Sequence, residues 1–193
     1  MTQLSTETED AVGERPALPA RRLAVWILLA TASVVVLIDQ VTKQLALSYV
    51  DDDESVRLLG GAVYLSLTRN SGAAWSLGRD YTFVFPLITC AVVVWIVWMA
   101  LRLRSVPWGL ALGLVLGGAL GNATDRIFRA PGPFMGHVVD MVSVFGPDGQ
   151  YFPIFNAADS SLTCGVILAI ALEFTGRQRD GTRIRAKERK ETT

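Results

Sequence analysis

Residues 105–126 read SVPWGLALGLVLGGALGNATDR. Ser105 to Thr124 carries no charge; Arg104 precedes the run and Asp125 ends it. As a helix those residues rise about 30 Å, the thickness of a bilayer's hydrocarbon core. Gly109, Gly113, Gly117 and Gly121 recur every fourth residue and so share one helical face. Small residues on one face let a neighbouring backbone approach closely, which is how membrane helices pack. The first three are packing positions. Gly121 differs by position, because it leads directly into the polar Asn122.

Three further charge-free runs flank this one: Leu23–Ile38, Tyr81–Leu101 and Ser160–Leu172. The first and last are too short to span unless Asp39 and Asp159, which border them, lie inside helices that enter the membrane. Ionisable residues at membrane depth are rare and costly, so these two aspartates are functional candidates. Half the chain is hydrophobic (51% of 193 residues), which excludes a disordered or collagen-like chain. Eighteen basic residues balance eighteen acidic ones, and no basic stripe accompanies a folded core, so a nucleic-acid partner is not expected. The two cysteines, Cys90 and Cys164, both lie in apolar runs, where thiols act as small hydrophobes rather than as a disulfide framework.

Twelve basic residues (Arg15, Arg21, Arg22, Arg102, Arg104 and seven from Arg177 onward) fall on one side of a four-span arrangement. Only Arg57, Arg69, Arg79, Arg126 and Arg129 fall on the other. The positive-inside rule then puts both termini in the cytoplasm and the segments around 48–81 and 125–156 outside. Arg21-Arg22 and Ala30-Thr31-Ala32 resemble a signal peptide, but the apolar run continues to Ile38, which favours an uncleaved anchor. The expected organisation is a disordered cytoplasmic tail (1–20), a four-helix membrane domain (21–176) and a basic cytoplasmic tail (177–193), frayed or a solvated helix from Gln178. Ser55–Leu67 alternates loosely around a Gly60-Gly61 turn, with Val63, Leu65 and Leu67 on one face, which implies a small sheet at the outer surface.

Under that topology the polar residues gather at one depth. Asp39, Gln40 and Lys43 end the first span, and Asn70 and Ser71 lie in the first outer segment. Asn122, Asp125 and Arg126 end the third span, His137 and Asp140 lie in the second outer segment, and Asn156 and Asp159 begin the fourth span. Asp140, among Val and Met, and Asp159, after Ala157-Ala158, are poorly hydrated carboxylates. Brought together they share a proton, with one pKa raised. The ionised member then takes a proton from water and the protonated member polarises a carbonyl. Plainer readings stand beside this one. Asp159 also suits a helix cap, Asp39 suits an ion pair with Lys43 or Arg126, and Asp125-Arg126 suits a brace. His137 suits an interfacial site, and Asp51–Glu54 a solvated loop. With one His and no His/Cys spacing, a metal site is not expected.

Five segments in order resemble the lipoprotein signal peptidases, signal peptidase II: Asp39-Gln40-Val41-Thr42-Lys43, Asn70-Ser71-Gly72-Ala73-Ala74-Trp75, Gly121–Arg126, Gly136–Asp140 and Phe155–Ser160. The resemblance covers about residues 23–175. It implies an integral-membrane aspartic peptidase of four transmembrane helices with a small extracytoplasmic sheet, an otherwise all-α membrane fold without a cofactor, in the bacterial plasma membrane. Its substrates are prolipoproteins cut just before a diacylglyceryl-modified cysteine, and its other partners are membrane lipids. By the same resemblance Asp140 and Asp159 are the catalytic pair. Asn70, Gly72, Asn122, Arg126 and Asn156 organise the site, and Asp39 and Lys43 support it. Ile127–Met135 is longer than the corresponding segment of many members, and Trp75, Phe128 and Phe134 suit apolar walls or interfacial anchors. Two other classes fit parts of the pattern. A proton-coupled transporter also uses intramembrane Asp, but with repeated halves and a midplane site. A Ser–Lys peptidase would use Lys43 and a serine such as Ser71.

Overall fold

The computed structural model describes residues 18–72 and 84–184. In chain order the elements are α1 (Leu18–Tyr49), β1 (Val56–Leu58), β2 (Val63–Asn70), α2 (Val84–Ala100), α3 (Val106–Phe128), β3 (Val138–Val144) and α4 (Ala157–Phe174). Among the described residues, three helical segments are long and apolar enough to cross a membrane: Ala20–Tyr49, Val106–Phe128 and Ala157–Phe174. The described part of α2 contributes a shorter apolar stretch, Leu87–Ala100. Leu23, Trp26 and Leu37 on α1, Val94 and Trp98 on α2 and Ile167 on α4 are large, apolar and exposed. That pattern suits a lipid surround rather than water.

The helix read first in the sequence is the central one. Two-thirds of α3's apolar window is buried (67%), against 28% and 17% for α1 and α4. Its glycines explain the burial. A Cβ on Gly109 would strike the Ala24 carbonyl of α1. One on Gly113 would stand 2.7 Å from the Leu28 carbonyl, and one on Gly117 2.6 Å from Val35 Cβ. The stripe is thus the seat of α1. Gly118 takes α4 in the same way at Ala158, and Gly165 of α4 answers with a close approach to the Ala111 carbonyl. Ala24, Leu28, Leu112, Leu116, Ile96 and Met99 fill the remaining core between α1, α2 and α3.

The sheet is antiparallel in the order β1-β2-β3. The turn between β1 and β2 is a short 3-10 segment, Leu59–Gly61, with Gly60 at φ 68°, as the Gly-Gly pair implied. Leu67 on the expected apolar face packs with Ala46, Val139 and Met141, fastening the sheet to the end of α1. On the opposite face Ser66 is buried through polar contacts, 2.6 Å to the Ser55 hydroxyl and 3.1 Å from the Asp148 amide.

The structure adds three things to the sequence reading. The segment holding Asp140, placed from the sequence only in the second outer segment with no element assigned, is a strand, β3. The first helix does not end at its polar cluster but runs six residues past Lys43 to Tyr49. Residues 177–184, where they were expected to fray or form a solvated helix, make a turn closed by an antiparallel bridge between Arg177 and Arg183. Cys90 and Cys164 are free thiols on the exposed surface of α2 and α4. The disordered-tail reading for residues 1–17, Trp75 and the tail beyond 184 lie outside the described residues.

Candidate active site

The polar residues converge where the C-terminal parts of α1 and α3, the start of α4 and strand β3 meet. Three ionised side chains form the base of the site. Lys43 Nζ lies 2.8 Å from Asp39 Oδ2 and 2.8 Å from Asp125 Oδ2, and all three residues are fully buried. The remaining carboxylate oxygens are also used. Asp39 Oδ1 accepts the Ala158 amide at 3.0 Å, and Asp125 accepts the Val139 amide at 3.2 Å and Arg129 Nε at 2.6 Å. Gln40 bridges the two carboxylates, donating to Asp39 at 3.1 Å and to Asp125 at 3.3 Å. Burying charge is tolerated only with such complete pairing. Each partner ties a different element to α1 or α3, so this cluster joins α1, α3, β3 and α4 at one point. Gly121 belongs to it, because a Cβ there would stand 2.7 Å from Asp39 Oδ2.

Above this base are three asparagines, and each has its orientation fixed by a donor on its oxygen. Asn122 Oδ1 accepts from Lys43 Nζ at 3.0 Å, so its amino group turns to Asp159 Oδ1, 2.7 Å away. Asn156 caps α4: its Oδ1 accepts the Asp159 amide at 2.9 Å, while Asp159 Oδ2 accepts the Asn156 amide at 3.2 Å. Its amino group therefore points the other way, to Asp140 Oδ1 at 2.6 Å and Asn122 Oδ1 at 3.0 Å. Asn70 Oδ1 accepts the Gly72 amide at 2.8 Å, which leaves its amino group for Asp140 Oδ2 at 3.0 Å. Gly72 has φ 87°, a backbone conformation that favours glycine. An amide whose oxygen is held by a donor has one orientation left.

Strand pairing supplies the Asn70 contact. Asn70 pairs with Val138 and Thr68 with Asp140 across β2 and β3, so Asn70 and Asp140 are diagonal neighbours. Asp140 is 2% exposed. Its pKa is pushed up to about 6, first by burial and further by the Asp159 charge, against the lowering effect of the Asn70 and Asn156 hydrogen bonds. Asp159 is half-buried at the N-terminus of α4, where a negative charge is favoured by the helix dipole. Arg126, buried, reaches the Asn122 carbonyl at 3.5 Å and lies within electrostatic range of Asp140, Asp159 and Asp125.

The structure thus brings together every residue singled out for the site: Asp39, Lys43, Asn70, Gly72, Asn122, Arg126, Asp140, Asn156 and Asp159. Asp159 is both a cap and a neighbour of the second carboxylate, so the capping reading and the site reading are compatible. Asp39 pairs with Lys43. Gln40, which the sequence grouped with the polar residues without a role, and Arg129, which it placed only as an outer-side basic residue, complete the shell of Asp125. The i,i+4 spacing of Asp125 and Arg129 was the available signal. Lys43 faces two carboxylates and an amide oxygen, the surroundings of a structural cation rather than of a general base.

Two apolar hollows flank the carboxylates. One of about 670 Å³ is lined by Leu45, Ala46, Tyr49, Met141 and Asn156 among others. The other, about 440 Å³, is lined by Phe152, Ile154, Phe155, Asp159 and Cys164 among others.

Residues 31–175 match the family model of signal peptidase (SPase) II. The chain is 48% identical over 169 residues to the lipoprotein signal peptidase of Mycolicibacterium smegmatis, covering 86% of this chain and 69% of that protein. It is 46% identical over 172 residues to the lipoprotein signal peptidase of Mycobacterium tuberculosis H37Rv, covering 89% and 83%. Among solved structures it is similar to a bacterial membrane enzyme determined by the in meso method at 1.9 Å resolution. There the TM-score is 0.67 and the identity 33%, covering 77% of this chain and 93% of that one.

Proposed function

The chain belongs to the signal peptidase II family, and from that premise we propose that it is an aspartic endopeptidase of the bacterial plasma membrane. It removes the signal peptide of prolipoproteins by cleaving before the lipid-modified cysteine. The observation that carries the reading is the pair Asp140 and Asp159, joined through the Asn156 and Asn122 amides and served by neutral donors. Neutral donors matter. A Lys or Arg paired directly with either carboxylate would fix it as an anion, whereas amides let the pair hold one proton.

Asp140, the more buried member, keeps that proton; Asp159, at a helix N-terminus, carries the charge. Asp159 takes a proton from a water lying between the two carboxyl groups, and the water oxygen attacks the scissile carbonyl carbon. Asp140 gives its proton to the carbonyl oxygen. The resulting diol collapses as the amide nitrogen receives the proton held by Asp159 and one diol hydroxyl returns a proton to Asp140; the C–N bond breaks, leaving a carboxylic acid, an amine and the pair in its starting protonation. Arg126 stabilises the negative charge of the pair. Four spans with both termini in the cytoplasm put this chemistry near the outer face. The flanking apolar hollows suit an acyl-modified substrate, since each buried methylene contributes roughly 0.8 kcal/mol.

The transporter reading would need a midplane site and repeated halves; the carboxylates instead gather at one end of the helices. The Ser–Lys reading would need an unencumbered Lys43. The test is incubation of the purified protein with a diacylglyceryl-modified precursor peptide and with its unmodified counterpart. Cleavage before the modified cysteine is expected, with the unmodified peptide cut far more slowly at low concentration. Equal rates for the two would remove the lipid-recognition part of the proposal.

A further inference from the structure

The end of the molecule opposite the carboxylates carries a built site that peptide hydrolysis does not use. The turn of residues 177–183 is fastened to the corner between α2 and α3. The Arg104 and Ser105 amides both donate to the Arg179 carbonyl, at 2.8 and 3.1 Å. The Trp108 indole N–H donates to the Arg177 carbonyl at 2.7 Å. The Arg179 guanidinium lies over the Trp108 ring, 5.8 Å from its centroid, a cation–π arrangement. Backbone and side chain of Arg179 are both placed in advance.

Between this turn and the end of α2 is a hollow of about 200 Å³ lined by Trp98, Met99, Arg102, Gln178, Arg179 and Asp180. Among the described residues, no carboxylate lies within ion-pair distance of Arg102 or Arg179. Asp180 shares the lining, but its Oδ1 already accepts the Thr182 amide and hydroxyl at 2.9 and 2.7 Å. Trp98 lies near the end of an apolar helix and is 62% exposed, the placement of an indole at headgroup depth. Trp98 lines the hollow, and Val94, four residues before it on α2, is also apolar and exposed.

We propose that this hollow binds the phosphate headgroup of an anionic bilayer phospholipid, with Arg102 and Arg179 on the phosphodiester and the acyl chains along α2. Basic pockets between membrane helices are suited to such headgroups. A zwitterionic headgroup would bring its own cation against the two arginines. A free phosphate would leave the apolar side of α2 unused. The proposal rests on α2 and α3 crossing the membrane and is independent of the peptidase chemistry.

Full-length protein in neutral detergent is titrated with phosphatidylglycerol, with phosphatidylcholine of the same chains, and with glycerol phosphate, which has no chains. Binding is read by native mass spectrometry and by the shift in Tm. A roughly tenfold or larger preference for phosphatidylglycerol over phosphatidylcholine is expected, with weaker binding of glycerol phosphate. The preference is expected to vanish in Arg102→Gln/Arg179→Gln and to survive in Arg57→Gln at the far end. Should the double variant fold poorly, Arg102→Gln alone removes one of the two cations without touching the turn, and most of the preference should go with it. Equal binding of the two lipids, a preference retained in the arginine variants, or its loss in Arg57→Gln would each overturn the lipid site. Glycerol phosphate binding as tightly as phosphatidylglycerol would show a site for soluble phosphate instead.

Discussion

Among the described residues, Asp140 is held by two carboxamide donors and by no cation within ion-pair distance, and that choice of partners sets its chemistry. Its pKa of about 6 arises chiefly from burial on β3, with the Asp159 charge adding to it. In the proposed mechanism Asp140 must be protonated, so kcat/KM should fall on the alkaline side with an apparent pKa near 6. A carboxylate pair titrates as a unit, so this value belongs to the pair. A rate that instead rises through pH 6 would reverse the assigned roles. The same shift acts on stability. A carboxyl group with a raised folded-state pKa contributes stability that is fully present below its ordinary value of 3.8 and is lost as pH rises through about 6. The Tm should therefore decline between pH 4 and pH 7 in detergent, with a smaller slope in Asp140→Asn.

At the scale of elements, α3 is the pivot, and its glycines hold α1 at backbone contact. Gly113→Ala forces a Cβ to 2.7 Å from the Leu28 carbonyl and 2.7 Å from Thr31 Cβ. Overpacking of this kind costs about 1–3 kcal/mol. Gly132→Ala meets nothing within 4 Å and should change stability by less than about 0.5 kcal/mol. Thermal unfolding in one detergent compares the two; equal effects would mean that the stripe does not seat α1. This face was legible in the sequence because a spacing of four is a helical signature. Strand β3 was not. Val138–Val144 is buried on both faces, with Val138, Val139, Asp140 and Met141 all inside, so no alternation betrays it. The extent of α1 was hidden for a related reason. Asp39, Gln40 and Lys43 read as the end of an apolar helix, yet their partners come from α3 and α4, and the helix continues. Lys43→Ala leaves Asp39 and Asp125 buried without their shared cation and should cost about 3–5 kcal/mol.

For the whole molecule, the order of the polar motifs along the chain made the site legible as a group before any contact was known. The pairing that makes it work was less visible. Asn70 and Asn156 are turned by the nearby backbone amides of Gly72 and Asp159, but Asn122 is turned by the distant Lys43, and the carboxylates that Asn70 and Asn122 then meet, Asp140 and Asp159, are also far away in sequence. The proposed topology, four spans with both termini in the cytoplasm, rests on the distribution of the basic residues. Under that proposal a cysteine replacing Asp52 should react with an impermeant thiol reagent added to intact cells. One replacing Arg183 should react only after permeabilisation. The comparison is made with Cys90 and Cys164 changed to Ala, since both native thiols are exposed on the helices. Labelling of Arg183→Cys from outside would invert the arrangement and, with it, the face on which the carboxylates lie.

The central claim is that Asp140 and Asp159 act together on water, and it is tested most directly by turnover of a diacylglyceryl-modified precursor peptide by Asp140→Asn, Asp159→Asn and the double variant. Asn keeps the volume of Asp but cannot exchange a proton with water or substrate. Each single variant is expected to fold, as read by Tm, and to lose at least about 10²–10⁴-fold in rate. The double variant should be no slower than either single, because the two groups act as one unit. Near-normal rates in both single variants, together with a folded but inactive Lys43→Ala, would contradict the aspartic mechanism.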